Sequence, residues 1–328
     1  MADDAGTSRP PSAGWRAVFV VGAGRSGTSA LTRGLQALGV DLGDRLKAPT
    51  GKNPTGFFED RDLLDVAKRA RRALGLRSES VALVEPGSWQ RPELAALQRE
   101  AADTMRRRFG ASPLWGFKYA QTLRYLPFWE EVFRLAELDA SFLVASRNPL
   151  SVARSRQALD AARGVQEKSD LEWLVNVVPY FGHLRGRLFA VVDYDRLMDA
   201  PAFELGRVAE RLRLPQDEAT REAVRAYADS FLQDGRRHTL FGLDELEKDA
   251  RLNPLVRDAY RWLWRLACDE VAADSRELWS EWERLEALLQ LQAPLLRHLD
   301  GLEAERRRRP LAALASAWRS WRGRSPGT

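Results

Sequence analysis

The chain has one cysteine, Cys268, in 328 residues, which excludes an internal disulfide and a cysteine-built zinc cage. Histidine is almost as scarce. His183, His238 and His298 lie far from one another and from any acid at ligand spacing, so no metal site is expected. Long apolar runs are missing as well: the longest, such as residues 17–21 and 142–145, fall far short of the ~20 residues that cross a bilayer. The polar opening, residues 1–9, has no secretory pattern, and a cytoplasmic location is expected. Outside the C-terminus there is little excess charge of either sign. Residues 301–328 hold seven arginines against Glu303 and Glu305, a balance of +5 that equals the net charge of the whole chain. The first 300 residues are therefore neutral, which argues against a nucleic-acid-binding face.

What is present is enough apolar material for a sizeable core. With 45% hydrophobic and 30% charged residues, the chain supports one large α/β core or two modest domains and is not disordered throughout. Residues 1–14 mix Gly, Pro, Ser and Asp without periodicity and read as a flexible leader. Short apolar runs follow at 17–21 (AVFVV), 114–117 (LWGF), 141–145 (SFLVA) and 188–192 (LFAVV); these predict buried parallel strands. Between them, 28–38 closed by Gly39, and Leu63, Val66, Ala70 and Leu74 closed by Gly75, predict helices. After Asp195 the pattern is almost wholly helical. The expected fold is α/β, a mainly parallel sheet flanked by helices, over residues 15–270. A helical extension with a basic amphipathic tail is expected over 271–328.

The most informative segment runs from Val18 to Leu31, a strand entering a glycine-rich turn and then a helix. Such a turn aims backbone N–H groups at an anion, usually a phosphate. Gly22, Gly24 and Gly27 satisfy the dinucleotide pattern G-x-G-x-x-G, and Asp41 lies near the distance of a ribose-binding acid, but no second strand leads into it. Gly22 and Gly27 also have Walker A spacing with Ser29 in place, yet Thr28 stands where the lysine belongs. In a third reading the basic residue has moved into the loop as Arg25, giving G-R-S-G-T-S. A turn with only a packing role is the bland alternative.

In that third form the loop resembles that of the nucleotide-dependent sulfotransferases, (K/R)-S-G-T-(S/T). Such loops hold the 5′-phosphosulfate of 3′-phosphoadenosine 5′-phosphosulfate (PAPS), and the resemblance implies that role for Gly24, Arg25, Ser26, Gly27, Thr28 and Ser29. A second segment, 141–155, has Arg147, Asn148 and Pro149 after a strand and Ser155 eight positions beyond the arginine. It resembles the family's R-(N/D/H)-P…S segment, which implies that Arg147 and Ser155 bind the 3′-phosphate. Taken alone, Arg147 reads more readily as a surface ion-pair partner. Residues 53–60, NPTGFFED, resemble N-P-x-G-(F/W)-(W/F)-E, and 115–118, WGFK, resemble W-G-x-K, while VVDYDRL at 191–197 resembles the segment that places an aromatic, here Tyr194, near the adenine. Tyr119, Ala120 and Gln121 depart from the K-x-P continuation common after the lysine. The resemblance implies a P-loop-type fold, with PAPS as co-substrate.

Moving a sulfuryl group from a mixed anhydride to an alcohol requires charge stabilisation at the leaving phosphate, a base for the hydroxyl and exclusion of water. Arg25, Lys118 and the N–H groups of residues 26–29 are the candidates for the first. The place after Lys118 where some family members carry a histidine holds Tyr119 and Ala120, so a carboxylate is the expected base, with Glu59 ahead of Asp60. Either could instead merely cap the helix starting there.

Trp262, Trp264 and the series Leu278, Trp282, Leu285 and Leu289 read as helix packing, with Pro294 interrupting any long coiled coil. The tail, with its arginines and Trp318 and Trp321, has a composition suited to peripheral contact with an anionic membrane, although basic tails of this kind are commonly disordered. The expected activity is PAPS-dependent transfer to a hydroxyl or amine of a glycan, glycolipid or small metabolite. A nucleotide-dependent kinase, an NAD(P) oxidoreductase or an inactive nucleotide-binding module are the rivals.

Overall fold

The computed structural model describes residues 14–50, 56–233 and 241–322, with side chains described to residue 230 in the second segment and to residue 307 in the last. The leader up to residue 13, Asn53, Pro54 and Thr55 of the NPTGFFED segment, and the side chains of Trp318 and Trp321 lie outside the described part.

Four strands, β1 (Arg16–Gly22), β2 (Leu114–Lys118), β3 (Asp139–Ser146) and β4 (Phe189–Asp193), form a sheet ordered β2-β1-β3-β4. All pairings are parallel. The strands coincide with the four apolar runs because each is buried on both faces. On β1, Ala17, Phe19 and Val21 face one core and Val18 and Val20 the other, the two-residue alternation of a pleated strand.

The connections are helical: α1 (Thr28–Ala37) and α2 (Arg61–Ala73), then α3 (Pro92–Phe109), α4 (Leu126–Ala136), α5 (Pro149–Gln157) and α6 (Gln166–Phe181). After β4 come α7 (Tyr194–Asp199), α8 (Pro201–Arg211), α9 (Glu218–Gln233), α10 (Leu243–Lys248), α11 (Pro254–Ala267), α12 (Arg276–Leu291) and α13 (Ala293–Arg322). Leu31 and Leu35 of α1, with Leu205 and Val208 of α8, cover one face of the sheet. The other face carries an aromatic core in which Phe19 lies 4.7 Å from Phe133 and Phe109 stacks on Trp115 at 4.2 Å, ring centre to ring centre. Leu278, Trp282, Leu285 and Leu289 of α12 are buried in that same core, as their three-four spacing requires.

The start of α13 is tied to the body. Asp300 accepts hydrogen bonds from the backbone N–H of Val81 (2.8 Å) and Ala82 (3.2 Å), Glu303 pairs with Lys168 at 2.6 Å, and Arg307 pairs with Glu79. Arg307 is thus engaged within the protomer, which the composition of the tail did not reveal. Among the described residues no helix is long and apolar enough to cross a membrane.

The strand order has one consequence for function. Following β1 the chain passes to α1 on one face, whereas following β3 it passes to α5 and α6, whose Leu150 and Trp173 belong to the core on the other. The loops leaving β1 and β3 therefore diverge, and a crevice opens at their carboxyl ends, where parallel α/β sheets bind ligands.

Candidate functional site

The turn from β1 to α1 occupies that crevice. Helix α1 begins after Gly27, which takes a left-handed conformation (φ 83°), offers no side chain to cap the helix and is followed by a first turn without an acidic residue. The leading N–H groups of α1 are thus left without a capping side chain, at the end of the helix that favours anions. Gly27 is required for a second reason: a Cβ there would collide with the ring of Tyr194. Gly27→Ala is expected to lower stability by about 1–2 kcal/mol from the backbone alone and to displace Tyr194. A denaturant titration that shows no loss would mean the turn adopts another shape.

Three cations gather at this end of the sheet. Arg25, in the left-handed region at φ 76°, donates from Nε to Ser155 Oγ at 3.1 Å. Arg147, at the exit of β3, is buried; its Nη1 reaches the carbonyl of Arg25 at 3.5 Å and its guanidinium lies 4.6 Å from the centre of the Tyr194 ring. Partial desolvation, then the charge of Arg147, lowers the pKa of Arg25, although much of its side chain meets solvent. Like charges held this close are relieved by a bound polyanion. Asn148 holds the corner: its Oδ1 accepts from the N–H of Leu150 at 3.0 Å, capping α5, and its Nδ2 donates to the carbonyls of Phe241 and Gly242. The surface ion-pair reading of Arg147 does not describe this buried position.

Lys118 ends β2, 4% exposed. Its Nζ donates to Glu59 Oε1 and to the Phe57 carbonyl, both at 3.0 Å, and to Ser29 Oγ at 3.4 Å. A lysine thus reaches the loop from the neighbouring strand, while Thr28, at the Walker position, is buried in the first turn of α1. Burial pulls the pKa of Lys118 down, and the charges of Lys47 and Arg25 act in the same direction; Glu59 opposes them.

The two carboxylates of the NPTGFFED segment part company here. Residues 45–47 pair antiparallel with 59–61, through Lys47 N–H to the Glu59 carbonyl (2.8 Å) and Arg61 N–H to the Arg45 carbonyl (2.9 Å). This short ladder turns successive side chains to opposite sides. Asp60 points back and caps α2, accepting from the N–H of Asp62 (3.0 Å) and Leu63 (3.1 Å) while Arg108 donates to its other oxygen at 2.9 Å. Glu59 points toward Lys118 and takes no part in the cap. Its second oxygen pairs with Lys47 at 3.4 Å, and that ammonium sits 3.7 Å from the centre of the Phe57 ring.

The acid of the dinucleotide reading is in the wrong place. Asp41 forms a bridge beside Trp115 near the amino end of β2, and its side chain is taken up by Gly43 N–H at 2.8 Å and by Ser112. Lys118 lies three strand steps beyond Trp115, about 10 Å. Asp41 therefore cannot reach a ribose at the carboxyl ends.

Two contributors were not foreseen. Lys47 lies in a stretch without a motif, so nothing in the sequence signals it. Arg156 follows Ser155 directly; it is buried, donates to the carbonyls of Ser169 (2.9 Å) and Gly24 (3.4 Å) and faces Glu172 at 3.4 Å. It braces the loop from behind. His183, by contrast, pairs with Glu130 at 2.9 Å, and among the described residues no cluster of His, Cys, Asp or Glu could hold a metal ion.

No protein-family model and no curated protein matches the chain. Among solved structures it is similar to sulfotransferase STF9 from Mycobacterium avium, with 15% identity, 79% of this chain and 78% of that one covered, and a TM-score of 0.44. Sulfotransferase STF1 from Mycobacterium tuberculosis H37Rv shows 17% identity over 66% of this chain and 72% of that one, with a TM-score of 0.40. For the sulfotransferase domain from the Synechococcus PCC 7002 olefin synthase the identity is 17%, the coverage 86% and 98%, and the TM-score 0.39. Likeness at this level leaves the function to be argued from the residues of this chain.

Proposed function

We propose that the protein is a PAPS-dependent sulfotransferase acting on a hydroxyl or amine. The observation that carries this reading is the convergence of Arg25, Lys118 and Arg147 on an uncapped helix N-terminus, with Glu59 3.0 Å from Lys118 and lining the adjoining cavity. An ATP-hydrolysing loop would take its lysine from within the loop, and a dinucleotide site would need Asp41 at the other end of the sheet.

PAPS, as substrate, would supply the sulfuryl group and leave as 3′,5′-ADP. The N–H groups of residues 26–29, with Arg25 and Lys118, would bind the 5′-phosphosulfate and stabilise the charge that grows on the bridging oxygen as its S–O bond breaks. Arg147 and Ser155 would hold the 3′-phosphate, with Tyr194, braced between Gly27 and Arg147, beside the adenine. Glu59 would take the proton from the acceptor as its oxygen bonds to sulfur. Its pairing with Lys118 implies that the ammonium exchanges this partner for donor oxygens, a short move because Ser29 is already 3.4 Å from Nζ.

Binding of 3′,5′-ADP without binding of ATP or NAD, together with transfer of labelled sulfate from PAPS into a cell extract, tests the assignment. Turnover distinguishes an enzyme from an inactive nucleotide-binding module. Arg147→Ala is expected to weaken 3′,5′-ADP binding by roughly 10- to 100-fold, the worth of a charge-assisted hydrogen bond, and to leave 5′-AMP nearly unaffected. Calorimetric titration of both ligands checks this; equal losses would remove Arg147 from the 3′-phosphate.

A further inference from the structure

Between the loop and α2 lies a cavity of about 280 Å³ that also reaches Glu59. Phe57, Leu64 and Leu159 give it apolar walls. Its ionic lining is unequal: Arg25, Lys47, Lys68, Arg71, Arg156 and Arg163 stand against Glu59, Asp160 and Glu172. The three acids already have partners. Glu59 faces Lys118 and Lys47, Glu172 is held by Arg163 at 2.6 Å and Arg156 at 3.4 Å, and Asp160 accepts the N–H groups of Ala162 and Arg163.

Lys68 and Arg71 are different. Neither meets a carboxylate among the described residues; Arg71 donates to the neutral oxygens of Tyr119 (3.1 Å) and Gln121 (3.2 Å), and its buried Nε has no acceptor there. Leu64, Lys68 and Arg71 follow one another at spacings of four and three, so they share one face of α2, the face that lines the cavity. Lys68 and Arg71 stand seven and ten residues beyond Arg61, where α2 begins, a rise of about 10 and 15 Å; long side chains on a helix lean back toward its N-terminus, and Glu59 lies just before that start. A nucleophile at Glu59 and an anion held between Lys68 and Arg71 would thus be separated by a passage with apolar walls on the order of 10 Å long.

We propose that the acceptor is an amphiphile whose reacting hydroxyl is separated by ~10 Å from an oxyanion, a carboxylate or a phosphate, held by Lys68 and Arg71. This rests on the reading of Glu59 as the base at a PAPS site. Arg71 offers a planar fork suited to an oxyanion, and Lys68 adds a point charge beside it.

The test is a titration, followed by ligand-observed NMR with and without 3′,5′-ADP, of three compounds of equal chain length: 8-hydroxyoctanoate, 8-hydroxyoctyl phosphate and neutral 1,8-octanediol. At least one of the two anions is expected to bind about tenfold or more tightly than the diol, and which of them does so identifies the oxyanion. Lys68→Gln should reduce this preference. Lys68→Gln combined with Arg71→Gln should abolish it, with 3′,5′-ADP affinity unchanged. Lys68 makes no hydrogen bond or ion pair that its loss would break among the described residues, so the single variant remains informative if the double one fails to fold. Equal binding of all three compounds, no binding of either anion, or a preference that survives Lys68→Gln undiminished would overturn the proposal. An anion preference that depends on Lys68, in a protein that does not bind 3′,5′-ADP, would leave the oxyanion site standing and remove the sulfotransferase reading instead.

Discussion

Glu59→Gln is expected to lower sulfate transfer by ~10² to 10⁴, the usual cost of removing a general base, while the protein folds and binds 3′,5′-ADP. Glutamine keeps the shape and can still accept a hydrogen bond from Lys118 at the position Oε1 now occupies, 3.0 Å away, but it cannot take a proton from an alcohol. Its neighbour supplies the control. Asp60 caps α2 and pairs with Arg108, so Asp60→Ala should cost stability, about 0.5–2 kcal/mol for the cap, and leave the chemistry of the remaining folded protein intact. The variant also carries a pH signature. With Glu59 neutral, the carboxylate that opposes the depression of the Lys118 pKa is lost, so the ammonium should deprotonate at lower pH than in the parent. Binding of 3′,5′-ADP, which gains from that charge, should then weaken at a lower pH as the solution is made alkaline. Full activity in Glu59→Gln with a dead but folded Asp60→Asn would transfer the base to Asp60 and overturn the assignment of the cap.

Arg25 carries the second large effect. Deleting one preorganised donor to a developing charge costs ~10² to 10³ in rate, and the same loss is expected for Arg25→Ala. The backbone at this position permits a cleaner variant. Arg25 sits at φ 76°, which strains any residue with a Cβ and does not strain glycine. Arg25→Gly therefore removes the charge while relieving the backbone, so turnover should fall with stability undiminished; the exposed hydrogen bond to Ser155 is the only contact of the head group that is lost among those described. Rate and melting temperature measured on the same preparation check both halves. Near-normal turnover in Arg25→Gly would mean that the loop does not bind the phosphosulfate.

Much of this site is legible in the amino-acid sequence because its parts are local. A strand, a glycine turn and a helix N-terminus are adjacent in the chain, and Arg147, Asn148 and Pro149 lie together at the end of the next buried run. Asn148 and Pro149 state in sequence that a helix starts at that point, and α5 does. The places where sequence reasoning stopped short are those that depend on pairings between distant segments. Lys47 has no motif and enters only because 45–47 form a ladder with 59–61. Arg307 reads as one more tail arginine until α13 lies along the body and brings it to Glu79.

The sequence by itself determined the four strands and the two-sided burial of the sheet, because runs such as 17–21 are apolar at every position and satisfy both faces at once. It also determined the glycine turn, since Gly22, Gly24 and Gly27 stand between an apolar run and a helical pattern and break both. The tertiary structure alone decided which of two adjacent carboxylates faces Lys118. In the chain both are candidates, with Glu59 ahead of Asp60, and the separation between them is physical: consecutive residues of an extended segment project to opposite sides. One side leads to the helix end and Arg108, the other to Lys118. Asp41 shows the same limit from the other direction: its distance along the chain suits a ribose-binding acid, and only the parallel register beside Trp115 places it at the end of the sheet opposite the glycine turn.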